Sequence, residues 1–201
     1  MKNTNHSLFD KYEMIKDLGT GSSGSVTLVR HISMDQERAL KKVPKASAFA
    51  ESALSEARLL KSLEHPSIPR IFDFEEDDAF YYIVEEYIDG ETLDSFLLHQ
   101  QLISPGLFFN ICEQLCNVFI YLHTQISTPI IYRDLKPEHI IVCHNKLKLI
   151  DFGVSAYVIQ DGNNFNHYGN IEFSAPECFT EDTITPVSYT HLRAHETLSD
   201  L

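Results

Sequence analysis

Residues 131–142 read IYRDLKPEHIIV, and shortly afterwards residues 149–153 read LIDFG. The first segment places a carboxylate and an ammonium group, Asp134 and Lys136, between two apolar pairs. In the second segment, Asp151 follows an apolar run that is typical of a buried strand. A third segment, residues 174–177, reads SAPE. Any one of these segments can arise by chance, but their combination in this order and at this spacing indicates a common function.

Towards the N-terminus, residues 18–26 read LGTGSSGSV, a G-x-G-x-x-G-x-V pattern. Glycines let a hairpin lie close over phosphate groups, with backbone N–H groups pointing at their oxygens. A glycine-rich hairpin that binds no ligand would have a similar sequence. This segment alone therefore leaves both interpretations open.

Residues 38–41 read RALK and follow at the spacing of a third strand. Alternation along a strand places Ala39 and Lys41 on the same face, under the glycine-rich turn. A small side chain there leaves room for a flat base, and the lysine can reach phosphates. The alternative is a solvated lysine, which is the preferred interpretation for the neighbouring Lys42. On the next predicted helix, Glu56 can pair with Lys41, although a glutamate considered alone is more often a surface charge.

The pattern of apolar residues changes near residues 87–90. Short alternating segments and one amphipathic helix precede this boundary, and mainly helical patterns follow it. Residues 1–11 are expected to form a flexible leader. The expected elements are three strands within 12–45, a helix over 47–63, strands over 68–75 and 80–87, helices over 92–99 and 105–123, and a strand over 147–150. The apolar stripe of the longest helix is expected to comprise Phe109, Cys112, Leu115, Cys116, Phe119 and Leu122.

Together these segments resemble the protein kinase superfamily, and most closely its serine/threonine branch. The resemblance covers about residues 12–180. It implies an α+β, two-lobed fold. The N-terminal lobe, residues 12–88, would contain a five-stranded antiparallel sheet and one helix, and the C-terminal lobe, residues 89–186, would be mainly helical and incomplete. The implied activity is ATP-dependent transfer of the γ-phosphoryl group to serine or threonine hydroxyls of protein substrates, and the alternative is an ATP-binding pseudokinase that acts as a scaffold or sensor.

The resemblance also implies roles for individual residues. Lys41 would hold the α- and β-phosphates of ATP, with Glu56 as its ion-pair partner. Asp134 would accept the proton of the substrate hydroxyl or orient that hydroxyl, and Lys136 would neutralise charge on the γ-phosphate. ATP would lie in the cleft between the lobes. The implied ATP-binding residues are Leu18, Gly19, Gly21, Gly24, Val26, Ala39, Lys41, Glu86, Ile88 and Ile141.

Several positions depart from the family pattern. Asp151 would hold Mg²⁺, with His139 at the position where the family has a second, asparagine ligand. Because imidazole suits softer ions than Mg²⁺, Mn²⁺ is an alternative ion. Tyr132 replaces a histidine at a position that is expected to serve packing. Glu85 places a carboxylate at the back of the adenine pocket, where desolvation is costly unless the group is paired or protonated.

The segment between Gly153 and Ala175 is unusual for this family. Its only serines are Ser155 and Ser174, at the two edges, and it contains no threonine. The arginine that usually reads a loop phosphate is present as Arg133. Autophosphorylation of this segment is therefore not expected to be the switch.

Composition narrows the partners and the compartment. A formal net charge of −13 disfavours nucleic acid and anionic membrane surfaces, and no apolar run is long enough to span a membrane. The four cysteines contain no C-x-x-C pair, which favours reduced thiols and a cytoplasmic location, with a membrane anchor after residue 186 left open. Residues 187–201 resemble the translation of a sequencing-library adapter and are expected not to be native.

Overall fold

The computed structural model describes residues 7–21, 24–99 and 104–157. The chain divides into two compact units, Met1–Asp89 and Gly90–Leu201, and each is described by itself. Residues 174–177 and 187–201, and most of the segment between Gly153 and Ala175, lie outside the described residues. The expectations for those segments stay predictions.

The first unit is built on one antiparallel sheet. Its strands are β1 (Tyr12–Gly21), β2 (Gly24–His31), β3 (Gln36–Pro44), β4 (Ile71–Glu76) and β5 (Phe80–Glu86). They lie in the order β1-β2-β3-β5-β4, and every neighbouring pair is antiparallel. The expected five-stranded antiparallel sheet is thereby confirmed.

The sheet buries a separate apolar cluster on each face. Helix α2 (Ala50–Lys61), which connects β3 to β4, packs its small residues against one face. Strand alternation sends the other set of side chains to the opposite face. The α2 cluster contains Val43, Ala53, Ala57 and Ile83. The opposite cluster contains Leu8, Tyr12, Val29, Leu40, Tyr82 and Val84.

Residues just before β1 are ordered, in contrast to the flexible leader expected over residues 1–11. Helix α1 spans Leu8–Lys11, and Ser7 caps it in a reciprocal capping box with Asp10. Leu8 is only 1% exposed within the cluster opposite α2. Four residues are too short to show helical periodicity, which is why the pattern gave no sign of this helix.

Two polar contacts hold α1 on the sheet. The Leu8 amide donates to Oε2 of Glu75 at 2.5 Å, and Lys11 Nζ lies 2.7 Å from Oδ2 of Asp73. Both acidic partners belong to β4. The short helix thus closes the sheet face that α2 leaves open.

In the part that the structure describes, the second unit contains two small sheets and two α-helices. Strands β6 (Glu91–Thr92), β8 (Ile140–Cys143) and β9 (Lys146–Leu149) form one sheet, in the order β6-β8-β9. Strand β7 (Ile130–Ile131) pairs antiparallel with β10 (Ala156–Tyr157). The helices are α3 (Leu93–His99) and α4 (Pro105–Ile120).

Helix α4 is shorter than the predicted 105–123. Its start is fixed by Ser104, whose Oγ accepts from the Leu107 amide at 3.2 Å. Proline at the first helical position favours this start, because its missing N–H would have no partner there. The chain then continues as a π-helical turn over Tyr121–Gln125.

The predicted apolar stripe of α4 is partly wrong. The buried residues of this region are Ile111, Val118 and Leu122, whereas Phe109 is 68% exposed and Cys116 is exposed. The reason is a polar residue on the packed face. Gln114 Oε1 accepts from the Leu147 amide, and its Nε2 donates to the Asn145 carbonyl, both at 2.9 Å.

We predict that Leu8→Ala lowers the free energy of unfolding by about 2–4 kcal/mol, because it opens a cavity in a buried cluster. Denaturant unfolding of the purified protein measures this change. The matched control is Leu98→Ala, which removes the same atoms from an exposed position and should change stability by less than about 0.5 kcal/mol. Equal effects of the two substitutions would show that α1 does not stabilise the sheet.

Candidate active site

The two motifs of the second unit converge on one cluster of charged side chains. The chain after β7 carries Asp134 and Lys136, a 3₁₀ turn over Pro137–His139 leads into β8, and Asp151 follows β9. Lys136 Nζ lies 3.0 Å from Oδ2 of Asp134. The sequence predicted these residues as site residues, and the structure brings them together.

His139 lies between the two carboxylates. Its Nδ1 is 3.1 Å from the backbone oxygen of Asp134 and 3.4 Å from Oδ2 of the same residue. Its Nε2 is 3.3 Å from Oδ2 of Asp151. The histidine side chain is only 12% exposed, whereas the Asp151 side chain is 54% exposed. The sequence predicted His139 as a metal ligand, which stays a prediction, and gave no sign of its contacts with Asp134.

A buried aromatic side chain supports this cluster from behind. Tyr132 is fully buried, and its hydroxyl donates to the Ile150 carbonyl. Its ring packs edge to face against the Phe152 ring, with 5.0 Å between the ring centres. These contacts agree with the interpretation of position 132 as a packing position. The tyrosine therefore connects the Asp134 segment to the Asp151 segment.

The start of the segment after Gly153 is fixed to the same loop. Arg133 Nε donates to the Val154 carbonyl, and Ser155 Oγ donates to the Tyr132 carbonyl at 3.1 Å. Ser155 thus has a structural role here. No sequence signal distinguished it from the other edge serine, Ser174.

The first unit holds the predicted lysine–glutamate pair. Lys41 Nζ lies 2.9 Å from Oε2 of Glu56, so the two join β3 to α2. Glu56 is only 8% exposed and is not the surface charge that a helix pattern alone suggests. The neighbouring Lys42 points to the opposite face, where its ammonium group lies 4.0 Å from the centre of the Phe80 ring.

The three glycines of the glycine-rich segment differ in what surrounds them. A side chain on Gly24 would meet the Lys42 backbone oxygen at 2.1 Å, and Gly24 has φ of +140°. Among the described residues other than the chain neighbours, no atom lies within 4 Å of the corresponding position on Gly19 or Gly21. Packing within the unit therefore accounts for Gly24 alone. The other two leave open space, as a ligand-binding hairpin requires.

The remaining predicted ATP contacts fall on both units. Glu86 donates its amide to the Arg70 carbonyl at 2.9 Å. Glu85 is half-buried opposite Ala39 of β3. Ala39 is buried, Leu18 is exposed, and the other side chains, at Val26, Ile88 and Ile141, are half-buried. Ile141 and the cluster around Asp134 belong to the second unit.

Within the described residues, no group of three or more His, Cys, Asp or Glu side chains is arranged to hold a metal ion. Asp151 and His139 nevertheless offer an exposed carboxylate oxygen and a ring nitrogen 3.3 Å apart. This pair fits a divalent ion whose other ligands are phosphate oxygens and water. In the part of the chain that the structure describes, no helix is long and apolar enough to cross a membrane.

Comparison with known proteins shows the family of this chain. Residues 12–189 match the family described as the protein kinase domain. The chain belongs to the protein kinase family. The Asp134 and Asp151 clusters and the Lys41–Glu56 pair lie within the matched residues.

Among curated proteins, this kinase domain is 31% identical over 176 residues to the serine/threonine-protein kinase PrkC of Bacillus subtilis. It is 34% identical over 167 residues to the serine/threonine-protein kinase ppk25 of Schizosaccharomyces pombe. It is 32% identical over 192 residues to calcium-dependent protein kinase 4 of Plasmodium falciparum. These alignments cover 83%, 81% and 88% of this chain but only 26%, 39% and 35% of the relatives.

We predict that Gly24→Ala destabilises the kinase domain by about 2 kcal/mol or more, because the new Cβ would overlap the Lys42 carbonyl at a positive φ. Gly21→Ala is the matched control and should change stability by less than about 1 kcal/mol. Thermal unfolding of both variants measures the difference. A larger loss for Gly21→Ala would contradict the assignment of Gly24 as the packing glycine.

Proposed function

We propose that this protein is an ATP-dependent kinase that phosphorylates serine or threonine hydroxyls of other proteins. The observation that carries the proposal is the Lys136–Asp134–His139–Asp151 cluster, in which each member lies 3.0–3.4 Å from the next. Membership of the protein kinase family and likeness to serine/threonine kinases support the reaction class.

Asp134 is the group that would accept or orient the proton of the substrate hydroxyl. Its carboxylate is mostly buried, and its Oδ2 lies 3.0 Å from the ammonium group of Lys136. Lys136 would therefore hold positive charge beside the point where the hydroxyl is bound. That placement suits a transfer in which positioning and charge neutralisation supply most of the rate enhancement.

Lys41 is the group of the first unit that would bind the ATP phosphates. Its ion pair with the buried Glu56 limits the conformational freedom of the lysine side chain and so lowers the entropy cost of phosphate binding. The open space around Gly19 and Gly21 supports close approach of phosphates to the backbone. Leu18, Val26, Ala39, Ile88 and Ile141, with the backbone of Glu86, would contact the base.

Asp151 and His139 are the residues that would hold the divalent ion. A divalent ion held there would supply positive charge against the phosphate groups of ATP. The residues of this chain contribute one oxygen and one nitrogen to it, and the Ile150–His139 backbone hydrogen bond of 2.9 Å keeps these two ligands together.

The second candidate function is that of an ATP-binding pseudokinase. It is favoured by His139, which contacts both catalytic carboxylates and replaces an oxygen ligand of the family. Intact Lys41, Asp134, Lys136 and Asp151 together favour the enzyme more strongly, because an ATP-binding scaffold would need Lys41 and Asp151 but neither Asp134 nor Lys136, the groups proposed to act on the substrate hydroxyl and the γ-phosphate.

The proposed partners are proteins that present serine or threonine hydroxyls. The net charge of −13 disfavours nucleic acid as a partner and favours basic protein substrates. The proposed location is the cytoplasm, where ATP and Mg²⁺ are both available.

We predict that Asp134→Asn lowers phosphoryl transfer by about 10²–10⁴-fold, because the amide cannot accept the hydroxyl proton. ATP affinity should change by less than about threefold, since the neighbouring charges stay in place. Transfer of labelled phosphate to a generic basic protein, with Mg²⁺ and then Mn²⁺, gives the rate, and calorimetry gives the affinity.

The matched control is Asp78→Asn, an exposed aspartate of the β4–β5 turn, which should leave both quantities unchanged. Transfer that survives in Asp134→Asn would show that Asp134 is not the base. ATP binding without transfer in the unaltered protein, with either ion, would instead establish the pseudokinase.

A further inference from the structure

The hydrogen-bond partners of His139 assign its tautomer. Nδ1 lies 3.1 Å from the backbone oxygen of Asp134, and a carbonyl oxygen can only accept. Nδ1 therefore carries the hydrogen and donates it. In the neutral ring, Nε2 is then left with a lone pair.

That lone pair faces another acceptor. Nε2 is 3.3 Å from Oδ2 of Asp151, an oxygen that also has only lone pairs to offer when the carboxylate is ionised. Two acceptors at this distance repel each other unless a cation lies between them. The candidate cations are a proton and a metal ion.

We propose that His139 and Asp151 form a mixed nitrogen–oxygen site that selects Mn²⁺ over Mg²⁺ in the nucleotide complex. The proposal rests on the proposed function, since phosphate oxygens of the bound nucleotide complete the ligand set. It deepens that function by naming the ion and the residue that selects it.

The distance between the two donor atoms fits adjacent ligands of one ion. With bonds of about 2.1 Å, adjacent ligands in an octahedron lie about 3.0 Å apart and opposite ligands about 4.2 Å apart. The observed 3.3 Å is close to the first value. A small opening of the pair is enough to admit the ion.

The backbone keeps the two ligands in register. The Ile150 amide, directly before Asp151, donates to the His139 carbonyl at 2.9 Å. The His139 amide in turn donates to the Lys136 carbonyl at 3.0 Å, which closes the 3₁₀ turn. With only 12% of its side chain exposed, the histidine has little freedom to turn away. The pair is thus preorganised for one ion.

Ligand chemistry then decides which ion binds better. Mg²⁺ prefers six oxygen ligands and gives up water reluctantly, so a ring nitrogen is a poor partner for it. Mn²⁺ accepts carboxylate and phosphate oxygens and also takes imidazole, as transition metals do. A single nitrogen therefore shifts the preference of the site towards Mn²⁺.

The test measures binding of Mn²⁺ to the full-length protein in the presence of ADP. Electron paramagnetic resonance detects the bound Mn²⁺, and competition with added Mg²⁺ gives the relative affinities of the two ions. In the unaltered protein we expect the electron spin echo to show coupling to a ligand ¹⁴N nucleus. His139→Asn should abolish this coupling and lower the ratio of Mg²⁺ to Mn²⁺ dissociation constants by about 10-fold or more. Circular dichroism verifies that each variant is folded.

The matched control is His144→Asn, at a histidine of the same unit whose Nδ1 lies 3.2 Å from the Cys143 sulfur. This variant should keep both the nitrogen coupling and the ion preference. Bound Mn²⁺ without nitrogen coupling, or an unchanged ratio in His139→Asn, would overturn the inference.

The same samples separate this inference from the proposed function. Phosphoryl transfer with Mg²⁺ and no nitrogen coupling would overturn the ion selection and leave the kinase assignment intact. Failure to bind nucleotide with either ion would overturn both.

Discussion

The peptide group on each side of Ile150 ties the two halves of the active cluster together. The Ile150 amide donates to the His139 carbonyl at 2.9 Å, and the Ile150 carbonyl accepts from the Tyr132 hydroxyl. Because Asp151 is the next residue, these two bonds set the position of its carboxylate relative to the loop that carries Asp134. The separation of the two aspartates therefore depends on backbone groups that no charge pattern reveals.

Backbone strain accompanies this arrangement. Arg133 and Asp151 both have left-handed φ values, of 70° and 61°. For residues other than glycine this conformation costs about 1–2 kcal/mol each, and it persists only where surrounding contacts impose it. The bond from Arg133 Nε to the Val154 carbonyl is one such contact, and the bond from the Gly153 amide to Oδ1 of Asp151, at 3.3 Å, is another. The loop is thus held in a conformation that places function above local stability.

Sequence patterns predicted the sheet and the charged residues well, for a physical reason. Strand alternation and the order of the motifs are properties of consecutive residues, so Lys41 and Glu56 could be paired without coordinates. Helix α1 could not be predicted in this way, because four residues show no helical periodicity. Its formation depends instead on the burial of Leu8 against the sheet. The prediction of the packed face of α4 was partly wrong for a different reason. Gln114 takes its place there through hydrogen bonds to the β9 region, and a hydrophobicity pattern excludes glutamine from such a face.

The same reasoning explains why His139 need not dismantle the site. An asparagine at this position offers the two N–H donors of its amide nitrogen and an acceptor, its carbonyl oxygen. With Nδ1 bonded to the Asp134 carbonyl, His139 offers one donor and one acceptor, and its acceptor faces Asp151. One donor and one acceptor are thus retained, and in the proposed site the atom that would meet an ion changes from oxygen to nitrogen. Such a change would affect ion preference more than the placement of Asp134 and Lys136. The contacts of His139 are therefore compatible with the proposed kinase site, in which one metal ligand of the family would be replaced by a histidine.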